Sequence, residues 1–144
     1  MAQVSHEAAG APGIQAQVHD PAHQAYQILR LAFTVAPIVA GADKFLGLLT
    51  NWERYLSPPV ASLVGGNGHT LMLGVGVVEI AAGLLVAFKP RIGGYVVAAW
   101  LAGIIVNLLL IPGFYDVAFR DFGLALAALA LARLSLAYPD PTGR

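Results

Sequence analysis

The chain has 144 residues, of which 58% are hydrophobic and 11% are charged, with a formal net charge of zero and a mean hydropathy of +0.70. Soluble domains carry about 25% charged residues, so this chain has too few charges to coat a water-soluble globule. Zero net charge without a basic run argues against nucleic-acid binding. The absence of cysteine excludes disulfides, thiolate metal sites and a cysteine nucleophile. The composition indicates a small, single-domain integral membrane protein.

Four apolar stretches are long enough to cross a hydrocarbon core, which takes about 20 helical residues. They run over about 28–49, 69–88, 92–111 and 117–138. They lack the two-residue alternation of a membrane barrel. We therefore expect an all-α integral membrane four-helix bundle over 21–139. A polar tail at 1–20, flexible or docked on a partner, precedes it, and a short tail at 140–144 follows it.

Capping residues and prolines mark the ends of the predicted helices. Asp20 and Pro21 form an N-cap followed by proline at the first helical position. Pro37 falls inside the first helix and predicts a kink there. The Lys-Pro-Arg sequence at 89–91 predicts a tight turn between the second and third helices.

The distribution of positive charges predicts the orientation of the bundle. One side would hold five basic residues, namely Arg30, Lys89, Arg91, Arg133 and Arg144, and the other three, namely Lys44, Arg54 and Arg120. The positive-inside rule then places both termini and the 89–91 turn in the cytoplasm of a bacterial inner membrane. The 51–68 loop would face outward.

Ionisable residues inside the spans are informative because each costs at least about 2.5–3.5 kcal/mol to insert. Glu79 lies near the middle of the second span, and the other polar residues lie about 7–11 Å outward of the midpoints of their helices, at 1.5 Å per residue. The predicted buried polar cluster, which would serve as a ligand or proton site, consists of Asp43, Lys44, Glu79, Asn107, Arg120 and Asp121.

Small residues share the helix faces of these polar groups. Gly76 and Gly83 flank Glu79 at helical spacing, and small residues mark close helix packing in membranes. We expect Lys44 and Arg120 to neutralise Glu79 and the aspartates across the bundle. Two interpretations stay open: a network that fixes helix register without chemistry, and a site for a ligand, a proton or a lipid head group. Asp121 could also simply favour the start of the fourth helix.

The spacing of the histidines does not indicate a metal site. His19 and His23 are four residues apart, but Pro21 lies between them and no further ligand follows. His69 is the only histidine at a span, so a haem with two histidine ligands is not expected from this chain alone. We predict no metal site and no catalytic residue.

The chain resembles the DoxX-like family of small four-helix membrane proteins. The resemblance rests on Leu-Arg-Leu at 29–31, Ala-Gly-Ala-Asp-Lys-Phe at 40–45, Glu-Ile-Ala-Ala-Gly-Leu-Leu at 79–85 and Arg-Asp-Phe-Gly-Leu at 120–124. It covers about 26–135 and leaves out the polar tail. It implies a protein associated with thiosulfate:quinone oxidoreduction or terminal quinol oxidation, but it supplies no agreed catalytic residue.

Three classes of function follow. The first is a non-catalytic accessory subunit of a respiratory or quinone-linked redox complex, with a quinone or lipid contact near the outer polar cluster and no cofactor held by this chain alone. Its partners would be membrane lipids and other membrane subunits, or further copies of the chain, and no nucleic acid. The alternative is a small proton-coupled transporter or ligand-binding protein that uses Glu79. A self-contained enzyme ranks last, because no nucleophile–base pair is readable.

Overall fold

The computed structural model describes residues 19–139, and every regular element in that range is helical. Four helices have 20 or more residues: α1 (Pro21–Leu46), α3 (Gly68–Phe88), α4 (Pro90–Leu109) and α5 (Tyr115–Leu134). A short α2 (Pro58–Ser62) and two 3-10 turns, Trp52–Tyr55 and Ser135–Ala137, complete this part of the chain. The predicted tails at 1–20, apart from its last two residues, and at 140–144 lie outside the described residues.

Three of these helices, α1, α3 and α4, are long and apolar enough to cross a membrane. The expectation of a helical protein with helices able to cross a membrane is therefore confirmed for the described residues and for three helices. The fourth predicted stretch, 117–138, corresponds to α5 and the turn after it. Helix α5 is not among the three, and its charged residues are Asp116, Arg120, Asp121 and Arg133.

Local signals explain where the helices begin and end. The Asp20 carboxylate accepts a hydrogen bond from the Ala22 N–H, and Pro21 occupies the first turn, as predicted from the sequence. Helix α1 continues through Pro37. It ends at Leu46, three residues before the predicted apolar stretch ends, because Gly47 takes a left-handed conformation (φ +66°) and its N–H bonds back to the Asp43 carbonyl.

The long helices form two tightly packed pairs, α1 with α3 and α4 with α5. In the first pair the Arg30 guanidinium donates to the Ala87 carbonyl at 2.7 Å, and Lys44 bonds Glu79, so the two helices run antiparallel. In the second pair a Cβ on Gly94 would lie 2.8 Å from the Ala128 carbonyl oxygen. Small residues thus allow close helix contact in both pairs.

Apolar and polar interiors lie at different levels of the bundle. The apolar core contains the buried side chains Tyr26, Phe33, Ala82, Val86, Val97, Ala98, Ala128 and Leu131. These residues lie toward the helix ends that hold Pro21, Lys89 and Leu134. Asp43, Lys44 and Asp121 are buried toward the opposite end, which holds the 47–67 loop. The exterior carries many large apolar side chains, including Leu31, Val106 and Phe119.

Candidate functional site

Lys44 and Glu79 form an ion pair between α1 and α3. The Lys44 Nζ lies 2.6 Å from the Glu79 Oε2, and the two side chains are 3% and 12% exposed. Helical side chains lean toward the N-terminus of their own helix. Because α1 and α3 are antiparallel, Lys44 and Glu79 lean toward one another. Lys44 and Arg120 were expected to pair with Glu79 and the aspartates across the bundle. Among the described residues, Lys44 with Glu79 is the pair between helices that lies within bonding distance.

Trp52 covers the lysine of this pair. The Lys44 Nζ lies 3.7 Å from the centroid of the Trp52 ring, a distance at which an aromatic face attracts a cation. Trp52 was not among the residues predicted for the site. The available signal was its indole N–H, which usually finds a hydrogen-bond partner when it is buried. Trp52 thus belongs to the site both through its ring and through its N–H.

Asp43 organises the turn after α1 and forms no ion pair with any residue of the described range 19–139. Its carboxylate accepts hydrogen bonds from the Leu48 N–H at 2.8 Å, from the Leu49 N–H and from the Trp52 indole N–H at 2.8 Å. The expectation that Lys44 or Arg120 neutralises Asp43 is therefore not met. The Leu48 and Leu49 amides lie past the end of α1, and the Asp43 carboxylate in its last turn supplies the acceptor that buried backbone N–H groups need. This carboxylate fixes the 47–52 segment over the end of the α1–α3 pair.

Asn107 anchors the same loop from the other helix pair. Its side-chain oxygen accepts from the Ser57 N–H at 2.9 Å, and its side-chain nitrogen donates to the Tyr55 carbonyl at 2.5 Å. The two bonds join α4 to residues 50 and 52 positions earlier in the chain. Asn107 was predicted to lie in the polar cluster. In the structure its amide binds the loop, and its position along α4 could not reveal this role.

Arg120 and Asp121 are adjacent in α5 and bond to each other. The Arg120 Nε and Nη2 donate to the Asp121 Oδ1 at 3.0 and 2.9 Å. The Asp121 side chain is 6% exposed, whereas that of Arg120 is 66% exposed. Arg120 therefore does not reach across the bundle as expected.

A cavity of about 280 Å³ opens beside the ion pair, between α1, α3 and the loop. Its lining includes Lys44, Trp52, Met72 and the exposed pair Glu53 and His69, whose Oε1 and Nδ1 atoms are 2.9 Å apart. Within residues 19–139, no group of three or more His, Asp or Glu side chains lies together as a metal site requires. The cavity offers charges of both signs and an aromatic surface at one end of two apolar helices.

Comparisons of the chain with models of protein families, with curated proteins and with solved structures give no match.

Proposed function

We propose that this chain is a four-helix integral membrane protein of the DoxX-like type and a non-catalytic accessory subunit of a respiratory or quinone-linked redox complex. The helical architecture supports the membrane location, since three helices have the length and composition of a span. The motifs at 40–45, 79–85 and 120–124 support the kinship. In this proposal α5 is the fourth span, and both termini lie in the cytoplasm of a bacterial inner membrane.

The exposed surface of α5 is the observation that carries the proposed role. Arg120 is 66% exposed in its side chain, and it lies between the exposed aromatic residues Phe119 and Phe122. An arginine facing hydrocarbon carries a cost that reaches about 2.5–3.5 kcal/mol at the centre of a span by insertion scales. A neighbouring subunit that packs on Phe119 and Phe122 and offers an acceptor to Arg120 would remove this cost. Helix α5 is therefore the proposed contact with the partner.

The polar interior fits a structural subunit. Asp43 and Asn107 bind the outer loop, and Lys44 with Glu79 joins α1 to α3. Each of these groups is engaged in contacts that hold helices and loop in register. Buried ionic groups serve this kind of role in some proteins. The accessory role requires no reaction at these residues.

The proposal is tested by photo-crosslinking from α5 at native expression level. A photoreactive amino acid replaces Phe119, and a matched variant carries it at Val106, which is exposed on α4. After irradiation and extraction in mild detergent, mass spectrometry should identify a redox subunit linked through position 119 and not through position 106. Recovery of the chain alone or linked only to itself from both positions would contradict the proposal.

A second candidate is a proton-coupled carrier that uses Glu79. It is favoured by one observation: Lys44, the partner of Glu79, lines the cavity at the outer end. A carrier needs such access from one side of the membrane to a buried carboxylate. The test is proton or substrate flux in proteoliposomes, which Glu79→Gln should abolish. Flux that persists at the wild-type rate in Glu79→Gln would contradict it.

A further inference from the structure

Two recesses are lined by neighbouring residues of the turn after α1. One is the cavity of about 280 Å³ beside Lys44, which Thr50 also lines. The other is a groove of about 550 Å³ along α1, and Leu49 lines its near end. Consecutive residues of the turn therefore line one recess each. A charged recess and an apolar recess meet at the outer end of a helix that has the length and composition of a membrane span.

The groove is shaped for hydrocarbon. Three alanines at four-residue spacing, Ala32, Ala36 and Ala40, form its floor, and Val35 and Val39 lie beside them. The eight helical steps from Ala32 to Ala40 correspond to a length of about 12 Å. This face of α1 points away from α3, because Gly41 is the residue that contacts the α3 backbone. The groove thus lies on the outside of the bundle, where acyl chains would be its neighbours.

The cavity has a different charge pattern from a simple anion or cation site. The Lys44 ammonium is already balanced by Glu79 on its inner side. Glu53 and His69 at the opening form an exposed pair, and exposed pairs of this kind contribute little, so a ligand can replace the contact. The opening therefore supplies a carboxylate acceptor and an imidazole, next to an ammonium with three donor hydrogens. A zwitterion with a phosphate and an amine complements this arrangement.

We propose that these two recesses together bind one phospholipid with an amine-bearing zwitterionic head group. One acyl chain lies in the groove along Ala32, Ala36 and Ala40. The phosphate lies near Lys44 and His69, and the ammonium donates to the Glu53 carboxylate. The inference rests on the proposed membrane location, but it does not depend on the proposed partner subunit.

The test measures quenching of Trp52, which lines the cavity. Trp100→Phe leaves Trp52 as the single tryptophan, and the protein is reconstituted in phosphatidylcholine bilayers. The probe is phosphatidylethanolamine with a nitroxide high on one acyl chain. Quenching should saturate, and unlabelled phosphatidylethanolamine should reverse it at a concentration about tenfold lower than phosphatidylglycerol, a ratio that corresponds to about 1.4 kcal/mol.

Two variants separate the recesses. Glu53→Gln should remove the roughly tenfold preference for the amine head group while quenching still saturates. Ala36→Leu should fill the groove and weaken binding of both lipids, whereas Ala102→Leu, on an exposed face of α4, should leave binding unchanged. Each variant is first shown to retain the wild-type helix content.

Three results would overturn the site. Quenching that rises linearly and equally for all lipids indicates annular lipid only. A preference for phosphatidylglycerol, or a preference that Glu53→Gln leaves intact, contradicts the assigned head group. Extraction of the chain from native membranes by alkaline carbonate would overturn the membrane location together with the lipid site. If the chain stays in the membrane but no redox partner is found, the proposed partner fails, and the quenching experiment alone decides whether the lipid site exists.

Discussion

Gly41 and Gly76 lie against each other across the α1–α3 interface. A Cβ on Gly41 would come within 2.5 Å of the Gly76 carbonyl oxygen, and a Cβ on Gly76 would come within 2.7 Å of the Gly41 carbonyl oxygen. The contact is therefore between backbones, and neither position has room for a methyl group. Lys44 packs beside Gly76, so the separation that the glycines allow also brings the lysine within reach of Glu79.

Substituting either glycine of this contact should destabilise the bundle. We expect Gly41→Ala and Gly76→Ala each to lower the free energy of unfolding by about 1–3 kcal/mol, because overpacking forces the helices apart. Gly74→Ala is the matched control on α3, since a Cβ there meets nothing within 4 Å. The measurement is the unfolding equilibrium in bicelles. Equal stability of Gly41→Ala and Gly74→Ala would show that the interface is looser than described.

Removing one partner of the Lys44–Glu79 pair should cost far more than removing both. We expect Lys44→Met or Glu79→Leu alone to lower the free energy of unfolding by about 3–5 kcal/mol, because the remaining charge is buried and uncompensated. The double variant should recover much of that loss in a double-mutant cycle. Glu53→Gln is the control, since its pair with His69 is exposed and should contribute less than about 1 kcal/mol. Strictly additive losses would rule out the coupling.

The Asp43 carboxylate should control the mobility of the turn after α1. Asp43→Ala leaves the Leu48, Leu49 and Trp52 donors without their acceptor. We expect faster hydrogen exchange at the Leu48 and Leu49 amides and a red shift of the Trp52 emission measured in a Trp100→Phe background. Asp116→Ala, in the exposed first turn of α5, should change neither signal. Unchanged exchange in Asp43→Ala would mean that the turn is held by other contacts.

Asn107 should determine how firmly the 47–67 loop is attached to α4. Asn107→Leu keeps a side chain of similar size but removes the bonds to Tyr55 and Ser57. Two net hydrogen bonds of about 1 kcal/mol each predict an increase of about tenfold or more in tryptic cleavage after Arg54 in detergent. Val106→Leu serves as the neighbouring control. Cleavage at the wild-type rate in Asn107→Leu would contradict this anchoring role.

The proposed orientation can be read from accessibility because the chain contains no cysteine. In intact bacterial cells, a membrane-impermeant maleimide should label Ser62→Cys in the outer loop and should leave Ser5→Cys unlabelled until the cells are opened. Positive charge on the cytoplasmic side is the reason for this expectation. The reverse pattern would invert the bundle in the membrane.

Sequence alone could predict the helices because their signals are local. Asp20 and Pro21 begin α1, and a proline follows Lys89 where α4 begins. The glycines on the face of Glu79 also indicated a close helix contact, and Gly76 and Gly83 do meet α1. These features depend on spacing along one helix, so an apolar pattern with its caps is sufficient to find them.

The partners of the polar residues could not be found in the same way. The position of a residue along its helix predicts how deep its side chain lies in the bundle. It does not predict which loop folds back against that side chain. Asp43 therefore binds the amides of its own turn, and Asn107 binds the loop before α3. Arg120 bonds its neighbour Asp121 and not a residue across the bundle. These outcomes depend on tertiary geometry that a single helix does not carry.

The Lys44–Glu79 pair has a consequence for how the chain is made. The two residues are 35 positions apart, and ribosomes add about 5–20 residues per second. In a chain that inserts as proposed, the Lys44 ammonium emerges from the ribosome about 2–7 s before its counterion emerges. Helix α1 must wait through that interval at the translocon or near the lipid interface with an unneutralised charge. Insertion of α1 is then completed by α3, so a chain stalled before Glu79 has emerged from the ribosome should leave the first helix only loosely held in the membrane.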